Sequence, residues 1–273
     1  MAAPLLQGTV LLVGAGKMGG ALMEGWLARG LDPLKIAVID PGPPAEIANL
    51  LAERKIGQSP DPKHFSPDAI VVAVKPQLAG EIIPKLVPFI KPKTVIISIM
   101  AGRTIASLES ALPAYAAVVR SMPNTPASIG RGITVAVANK RVDATGKALT
   151  TDLLAAGGAV EWIENENLID AVTALSGSGP AYVFLLAECM ARAGIEVGLP
   201  AGLANTLARE TVAGSGELLH RSELEAAKLR ENVTSPGGTT AAALDVLMVE
   251  DGFQRLLTRA IAAATKRSRD LAE

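Results

Sequence analysis

Short apolar runs that alternate with helical patterns dominate the first half of the chain. Five of these runs are almost continuously hydrophobic and rich in valine and isoleucine: 9–13, 35–40, 69–74, 94–99 and 116–120. Strands that are buried on both faces have this composition. Helix-like segments separate the runs, at 17–29, 45–54, 78–87 and 103–110. A strand–helix–strand series of this kind predicts a parallel sheet with right-handed crossovers.

A glycine-rich turn follows the first run directly, and its residues 14–19 have the sequence GAGKMG. Between a strand and a helix, the first glycine turns the chain, the second lets the backbone approach a pyrophosphate, and the third lets the helix pack on the strand. The helix start then offers free N–H groups to an anion. We predict that a dinucleotide binds here, and the alternative is a purely structural turn. The predicted cofactor-binding residues are Gly14, Ala15, Gly16, Lys17, Met18 and Gly19.

Asp40 ends the second apolar run, about twenty residues beyond the glycines. A carboxylate at this position accepts hydrogen bonds from an adenosine ribose. It repels a 2′-phosphate, and no Arg or Lys occurs in residues 41–53 to offset that repulsion. The sequence therefore favours NADH over NADPH. The alternative is that Asp40 only caps the PGPP turn that follows it.

Two further strand ends carry candidate ligand-binding side chains. Lys75 lies in VAVKPQ (72–77), where we expect it near the cofactor phosphates or ribose, with a solvated lysine as the alternative. Pro76 favours an extended exit from that strand. Asn124 lies in RSMPNTPA (120–127), and its amide has a donor and an acceptor to offer a ligand or a neighbouring loop. Ligands of this architecture bind at strand carboxyl ends.

The pattern changes after about residue 165, where strand runs stop and helical patterns continue to the end. Before that point a last strand–helix–strand piece spans 133–163. We therefore predict an α/β protein with a Rossmann-like parallel-sheet domain at 1–165 and an all-helical domain at 166–273. The many small residues in 198–216 would let helices approach closely. The helical half is expected to need a partner chain to complete its core.

Composition argues against several classes of partner. The chain has 26 basic and 27 acidic residues and few aromatic ones, so nucleic acid and acidic surfaces are poor candidates. The N-terminus lacks the basic region of a signal peptide. The apolar stretch 180–194 is interrupted by Glu188 and Arg192, so no membrane span is predicted. We expect a soluble, cytoplasmic protein.

The inventory of reactive side chains is small. Cys189 is the only cysteine and lies in an apolar helical pattern, where we expect it to be buried. It cannot form an intramolecular disulfide, which suits a reducing compartment. The two histidines, His64 and His220, lie outside every motif. We therefore predict no metal site and no nucleophile paired with a base.

Six motifs, in their order and spacing, resemble the pyrroline-5-carboxylate reductase family, which makes L-proline in the last biosynthetic step. They are GAGKMG, AVKPQ, SIMAG, RSMPNTPA, LSGSGPAY and NVTSPGGTTAAALDVL. The resemblance runs nearly end to end. It implies an N-terminal Rossmann domain and a helical C-terminal domain that interlocks with a second subunit, often within larger rings.

The resemblance also implies site residues and a cofactor, NADPH or NADH. Beside the cofactor it places Ala73, Val74, Lys75, Pro76, Ala101 and Gly102. In the substrate loop it places Ser235, Gly237, Gly238, Thr239 and Thr240. Many members carry small hydroxyl or basic residues at the end of the second strand, where this chain has Asp40, so the usual preference for NADPH is not implied here.

The family reaction transfers hydride to the C=N carbon of a cyclic imine that bears a carboxylate. We expect Gly237 and Gly238 to hold that carboxylate through backbone N–H groups at a helix start, with a hydroxyl from Ser235 or Thr239. Thr240 is the candidate catalytic residue, hydrogen-bonding the ring nitrogen and relaying a proton. The alternative is that Ser235 or Thr239 only caps the helix.

Two other functions remain open at this point. A β-hydroxyacid dehydrogenase also joins a Rossmann domain to helices, but it needs a catalytic lysine on a long helix. The helical half contains two lysines, Lys228 and Lys266, and neither lies in a sequence context that matches such a catalytic lysine. The other alternative is a dinucleotide-binding protein without catalysis.

Overall fold

The computed structural model of the chain describes residues 7–272. The predictions on the N-terminus fall partly on residues 1–6, and these lie outside the described residues. The described chain forms two compact units. Unit 1 comprises the described residues up to Gly177 together with those from Thr265 onward, and unit 2 is Ser178–Ala264. The domain division predicted after residue 165 stays a prediction.

Unit 1 is built on an eight-stranded sheet. Its strands are β1 (Val10–Val13), β2 (Ile36–Ile39), β3 (Gly57–Gln58), β4 (Ala69–Val72), β5 (Val95–Ser98), β6 (Ala117–Met122), β7 (Gly132–Ala138) and β8 (Gly158–Trp162). They lie in the order β3-β2-β1-β4-β5-β6-β7-β8. The first six positions have the order of a doubly wound dinucleotide-binding sheet. The predicted α/β fold is confirmed, with a sheet that is mostly parallel.

Two features of the sheet are not visible in the hydrophobic pattern. The short strand β3 adds an edge beside β2 through Ala37 and Val38. Strand β7 runs antiparallel to β6, whereas the other neighbouring strands of the sheet are parallel. The chain reaches β7 through a short connection after β6, too short for the crossover that a parallel partner requires.

Helices cover both faces of this sheet. They are α1 (Lys17–Ala28), α2 (Ala45–Glu53), α3 (Ala79–Leu86), α4 (Ile105–Glu109), α5 (Ala144–Leu154) and α6 (Ile169–Val172). Side chains of α1, α2 and α5 pack on one face with Val10 and Leu12. Those of α3 and α4 pack on the other with Leu11 and Val13. Because neighbouring strand residues point to opposite faces, both faces need apolar side chains, and this explains the continuous runs.

Short helical turns connect these elements. The 3-10 turns are Pro33–Lys35, Pro76–Leu78, Val87–Phe89, Thr125–Ile129, Ala155–Gly157 and Glu166–Leu168, and a π-helical turn spans Thr173–Gly177. The π-helical turn includes the first three residues of the LSGSGP motif (175–180), where the apolar helical pattern is interrupted. Such turns are rare and often occur at functional sites.

Unit 2 contains the remaining helices, α7 (Gly179–Glu196), α8 (Ala201–Arg221), α9 (Ala226–Asn232), α10 (Thr239–Leu247) and α11 (Phe253–Ala272), the last of which ends in unit 1. Helices α7 and α8 pack through small residues, since a Cβ added at Gly194 would lie 3.2 Å from that of Ala204. The buried residues of unit 2 are three alanines, Ala191, Ala204 and Ala208. Three alanines are a small core for a unit of this length.

Large apolar side chains of unit 2 face solvent in the single chain. Phe184 is 68% exposed on α7, Val246 is 71% exposed on α10, and Leu256 is 58% exposed on α11. Cys189 is exposed as well, so the prediction of a buried cysteine is wrong for the single chain. The apolar helical pattern around it reflects a face that no helix of this unit covers. Apolar patches of this kind mark interaction surfaces.

One helical stretch is long and apolar enough to cross a membrane by length and composition. It is Glu166–Glu196, with 11% of its most apolar window buried. This is weak evidence, because interface helices and core helices of soluble proteins pass the same test. The stretch also carries Glu188 and Arg192, which form an ion pair one helical turn apart.

Candidate active site

The glycine turn after β1 has the geometry that its sequence predicts. Gly14 has a φ of +89°, which is open to glycine and costly for other residues. A Cβ on Gly14 would lie 2.8 Å from the carbonyl oxygen of Ala73, at the end of β4. A Cβ on Gly19 would lie 2.1 Å from the carbonyl oxygen of Gly14. The loops after β1 and β4 therefore touch at a point where only glycine fits.

Gly16 differs from these two glycines, because a Cβ added to it would meet nothing within 4 Å. Its space is open, as the approach of a pyrophosphate to the backbone requires. Gly16 is the N-cap of α1 and receives no capping bond from a side chain of the described residues. The first intrahelical bond runs from the Gly20 N–H to the Gly16 carbonyl, at 2.7 Å. The amides of Lys17, Met18 and Gly19 are thus left without helical acceptors, and the turn fits a bound pyrophosphate.

Asp40 links the end of β2 to this turn. Its Oδ2 accepts a hydrogen bond of 2.6 Å from the Ala15 N–H, and its Oδ1 accepts one of 2.8 Å from the Gly42 N–H. The second bond is the turn cap that the sequence offered as an alternative. A carboxylate has about four lone-pair sites, so the two bonds leave capacity for ribose hydroxyls. Asp40 therefore orders the glycine turn whichever dinucleotide binds.

The predicted residues after β4 form a partly exposed loop. Lys75 is exposed and extended, with φ −63° and ψ 139°, and Pro76 opens a 3-10 turn, so the predicted extended exit is confirmed. Ala73 and Val74 lie against Gly14. The chain's contacts thus place the loop beside the glycine turn.

The loop after β5 contains Ala101, which is exposed, and Gly102, which has a φ of +71°. A Cβ on Gly102 would lie 3.1 Å from the carbonyl oxygen of Leu271, near the end of α11. In the same part of unit 1, Ser268 donates a hydrogen bond of 2.7 Å to Oδ1 of Asp170. The last turns of α11 are therefore anchored beside this loop.

Asn124 braces its own surroundings. Its Oδ1 accepts from the Ile133 N–H at 3.0 Å, and its Nδ2 donates to the Ser176 carbonyl at 3.2 Å. Ser176 belongs to the π-helical turn, and a Cβ on the next residue, Gly177, would lie 2.6 Å from the methyl group of Met122. The structural alternative named for Asn124 is thus observed, and both ends of its amide are engaged by the protein.

The SPGGTT stretch forms a tight turn followed by α10. Gly237 has a φ of +70° after Pro236, and Gly238 is the N-cap of α10. No side chain of the described residues caps this helix, so the alternative in which Ser235 or Thr239 only caps it is not observed. Thr240 is the second helical residue, partly buried.

One expectation for this stretch is wrong. The Gly238 N–H was expected to be free for a carboxylate, but it donates to the Ser235 carbonyl at 3.0 Å. A proline followed by a glycine of positive φ closes a turn with this bond, and the bond uses the amide. The next intrahelical bond begins at Ala242, which donates to the Gly238 carbonyl. The amides without helical acceptors are therefore those of Thr239, Thr240 and Ala241.

The predicted residues fall into two groups, one in each unit. Contacts in unit 1 join the glycine turn, Asp40 and the Ala73 loop, with Ala101 and Gly102 at the neighbouring strand. Ser235, Gly237, Gly238, Thr239 and Thr240 form the second group within unit 2. Over residues 7–272, no cluster of three or more His, Cys, Asp or Glu side chains is arranged to hold a metal ion.

Two arginines near the site were missed by the sequence interpretation. Arg103 donates two hydrogen bonds to the Pro76 carbonyl. Arg120, almost fully buried within β6, forms an ion pair of 2.8 Å with Glu166. No local sequence pattern reveals the partner of a single arginine. The signal that was available is the presence of a charged residue, Arg120, in the otherwise apolar run 116–120.

The sheet order, the glycine turn and the open helix start define the class of dinucleotide-binding Rossmann proteins. A family model for pyrroline-5-carboxylate reductase dimerisation matches residues 166–271, and one for coenzyme F420-dependent NADP oxidoreductases matches residues 9–102. The pyrroline-5-carboxylate reductase of Pseudomonas aeruginosa is 40% identical over 97% of both chains. The chain belongs to the pyrroline-5-carboxylate reductase family, and the resemblance stated from its motifs is confirmed.

Solved structures agree with this assignment. A pyrroline-5-carboxylate reductase from Coxiella burnetii superposes with a TM-score of 0.90 and 32% identity, over 97% of this chain and 99% of the other. A pyrroline carboxylate reductase from Plasmodium falciparum, crystallised with NADP bound, superposes with a TM-score of 0.80 and 30% identity, over 98% and 100%. The similarity therefore covers both units.

The glycine geometry predicts opposite outcomes for two substitutions in the same turn. Gly16→Ala places a methyl group in open space, so the melting temperature should stay within about 2 °C while dinucleotide affinity falls about tenfold or more. Gly19→Ala forces a clash with backbone and should lower the free energy of unfolding by about 3 kcal/mol or more. Thermal unfolding and dinucleotide titration of both variants check this. Unchanged affinity in Gly16→Ala would contradict the assigned role of this turn.

Proposed function

We propose that this chain reduces the C=N bond of pyrroline-5-carboxylate to give L-proline, with NADH or NADPH as the reductant. The observation that carries the proposal is similarity along the whole chain to enzymes of that name, including 40% identity to the one from Pseudomonas aeruginosa. It is supported by a glycine turn with open space above Gly16. Residues 166–273 act as the substrate-binding and dimerisation domain, and the protein works in the cytoplasm.

The cofactor is held by the carboxyl edge of the sheet in unit 1. The turn from Gly14 to Gly19 binds the pyrophosphate through backbone amides. Asp40 accepts from the adenosine ribose hydroxyls, which favours NADH. The loops at Ala73–Pro76 and Ala101–Gly102 line the rest of the dinucleotide, with Asn124 bracing the neighbouring loop. When bound, the reduced nicotinamide supplies the hydride that the imine carbon accepts.

The substrate is held by unit 2. The amides of Thr239, Thr240 and Ala241 lack helical acceptors and lie at the positive end of the α10 dipole, so they bind the substrate carboxylate without a cation. The Ser235 hydroxyl adds a further donor. The Gly238 amide closes the turn that presents these groups.

Thr240 provides the hydrogen bond at the ring nitrogen. As hydride adds to the imine carbon, the C=N π electrons become the nitrogen lone pair, which takes a proton, and the product is a secondary amine. The hydroxyl of Thr240 has no bonding partner among the described residues, so it is available to donate here. An imine is basic enough that a strong acid is unnecessary, and orientation supplies much of the acceleration.

The apolar surface of unit 2 meets a second copy of the chain. This is supported by the exposed Phe184 and Leu256 and by the dimerisation family model over 166–271. The same surface accounts for the apolar stretch Glu166–Glu196 without a membrane. Dimers assemble further into a ring, as the family resemblance implies.

The β-hydroxyacid dehydrogenase alternative receives no support from the lysines. Lys228 of α9 bonds Glu231 at 3.2 Å on an exposed helix. Lys266 lies on an exposed part of α11. One assay separates the functions: oxidation of NADH or NADPH with pyrroline-5-carboxylate, against reduction of NAD with a 2- or 3-hydroxyacid. Turnover with the hydroxyacid alone, or dinucleotide binding without turnover, would refute the proposed reaction.

Thr240→Ala should lower kcat by about tenfold to a thousandfold, because it removes one hydrogen bond made in the transition state. Thr240→Ser should restore much of the activity. Thr145→Ala is the matched control, since Thr145 is also the second residue of its helix, α5. Steady-state kinetics and cofactor titration check the result. Wild-type turnover in Thr240→Ala would exclude the role.

Asp40→Ser should raise the ratio of kcat/KM with NADPH to that with NADH by about tenfold, because it removes the charge that repels a 2′-phosphate. Affinity for both cofactors should also fall, since the bond to the Ala15 N–H is lost. Asp32→Ser is the control, because Asp32 likewise caps a turn in unit 1. An unchanged ratio would contradict the ribose contact, whatever happens to the absolute values.

Phe184→Asp should convert the assembled protein to a smaller species, because it places a charge in the proposed interface. Leu34→Asp is the control, since Leu34 is 75% exposed in unit 1 and lies outside the dimerisation segment. Light scattering coupled to size exclusion measures both against the chain mass of 28.1 kDa. A wild-type protein of that mass would refute the dimer.

A further inference from the structure

Arg103 joins two neighbouring loops at the carboxyl edge of the sheet. Its guanidinium donates from Nε at 3.0 Å and from Nη2 at 2.8 Å to the carbonyl oxygen of Pro76. Arg103 follows β5 and Pro76 follows β4, and these strands are adjacent and parallel. Both loops therefore leave the same edge of the sheet, and a two-point bond fixes their separation.

The backbone around Arg103 is itself anchored. Thr104 caps α4, because its hydroxyl accepts a bond of 3.1 Å from the Ser107 N–H. The Ile105 N–H donates to Oε1 of Glu166 at 2.8 Å, and the same oxygen accepts from the buried Arg120. The anchored partner of the bond is thus Arg103, and the loop that it positions is the one at Pro76.

The Pro76 carbonyl does not need Arg103 to be satisfied. It also accepts a hydrogen bond from the Ala79 N–H within its own 3-10 turn. Removing the guanidinium therefore leaves no buried acceptor without a partner, which is the usual cause of a large loss of stability. The bonds of Arg103 contribute to the placement of the loop more than to the stability of the fold.

We propose that Arg103 is a positioning residue for the reduction, holding the Ala73–Pro76 loop in register with Ala101 and Gly102. This role rests on the proposed function, because it takes these two loops as cofactor segments. A loop that is ordered in advance binds its ligand without a further loss of conformational entropy. Arg103 acts through the Pro76 backbone, and so affects the dinucleotide whether or not it carries a 2′-phosphate.

Arg103→Ala should raise the dissociation constants of NADH and NADPH by about tenfold each, because the loop must then be ordered when the dinucleotide binds. The melting temperature should stay within about 2 °C, and the KM for pyrroline-5-carboxylate should stay within about twofold. Arg103→Lys should be intermediate, because an ammonium group lacks the planar fork that makes two bonds to one oxygen. Fluorescence titration of each dinucleotide and steady-state kinetics measure these values.

Arg29→Ala is the matched control. Arg29 also bonds a carbonyl of unit 1, that of Ala155 at 3.1 Å, at the end of α1 and therefore away from the strand carboxyl ends. It should leave both dissociation constants unchanged. The proposal is overturned if Arg103→Ala binds both dinucleotides within twofold of wild type, or if the loss comes with a large fall in melting temperature. Wild-type protein that binds dinucleotide without reducing the imine would refute the proposed function and leave this comparison valid.

Discussion

The contact between the glycine turn after β1 and the start of the loop after β4 is the constraint on which the proposed cofactor site depends. Strands β1 and β4 are neighbours in the sheet, although β2 and β3 lie between them in the chain. Backbone at Gly14 lies so close to Ala73, and Gly19 so close to Gly14, that a methyl group at either glycine would collide with a carbonyl oxygen. The packing places the start of α1, with its free amides, at the switch point of the sheet, which is where sheets of this order bind their ligands.

Charged side chains around that edge act on the backbone. Asp40 accepts from an amide of the glycine turn, Arg103 donates to a carbonyl of the next loop, and Glu166 accepts from the first residue of α4 while it pairs with Arg120. Hydrogen bonds to a charged partner are stronger than those between neutral groups, so few of them suffice to order loops. A reaction that needs orientation more than acid–base strength suits a site in which charges are used to fix geometry.

The helical unit differs in where its apolar side chains lie. Its buried residues are alanines that let α7 and α8 approach closely, while large side chains such as Phe184 remain exposed. An isolated chain therefore exposes the apolar area that would normally stabilise a unit of this size, and the family model that matches residues 166–271 is one for dimerisation. Exposure of Cys189 has the same origin, because the helical face that carries it has no partner in the single chain.

Sequence alone determined the elements and the class of protein. The helices and strands that were predicted in the first half lie within about two residues of their predicted limits, because a strand buried on both faces and a glycine turn are local patterns. The short strand β3 was not among them. The sequence did not reveal the antiparallel β7, the π-helical turn, the use of the Gly238 amide or the partners of Arg103 and Arg120. Arg103 and Pro76 are 27 positions apart, and Arg120 and Glu166 are 46 apart. Only the tertiary structure decided these pairings, because a hydrogen bond depends on which atoms the folded sheet brings within about 3 Å, and periodicity along the chain carries no information about that distance.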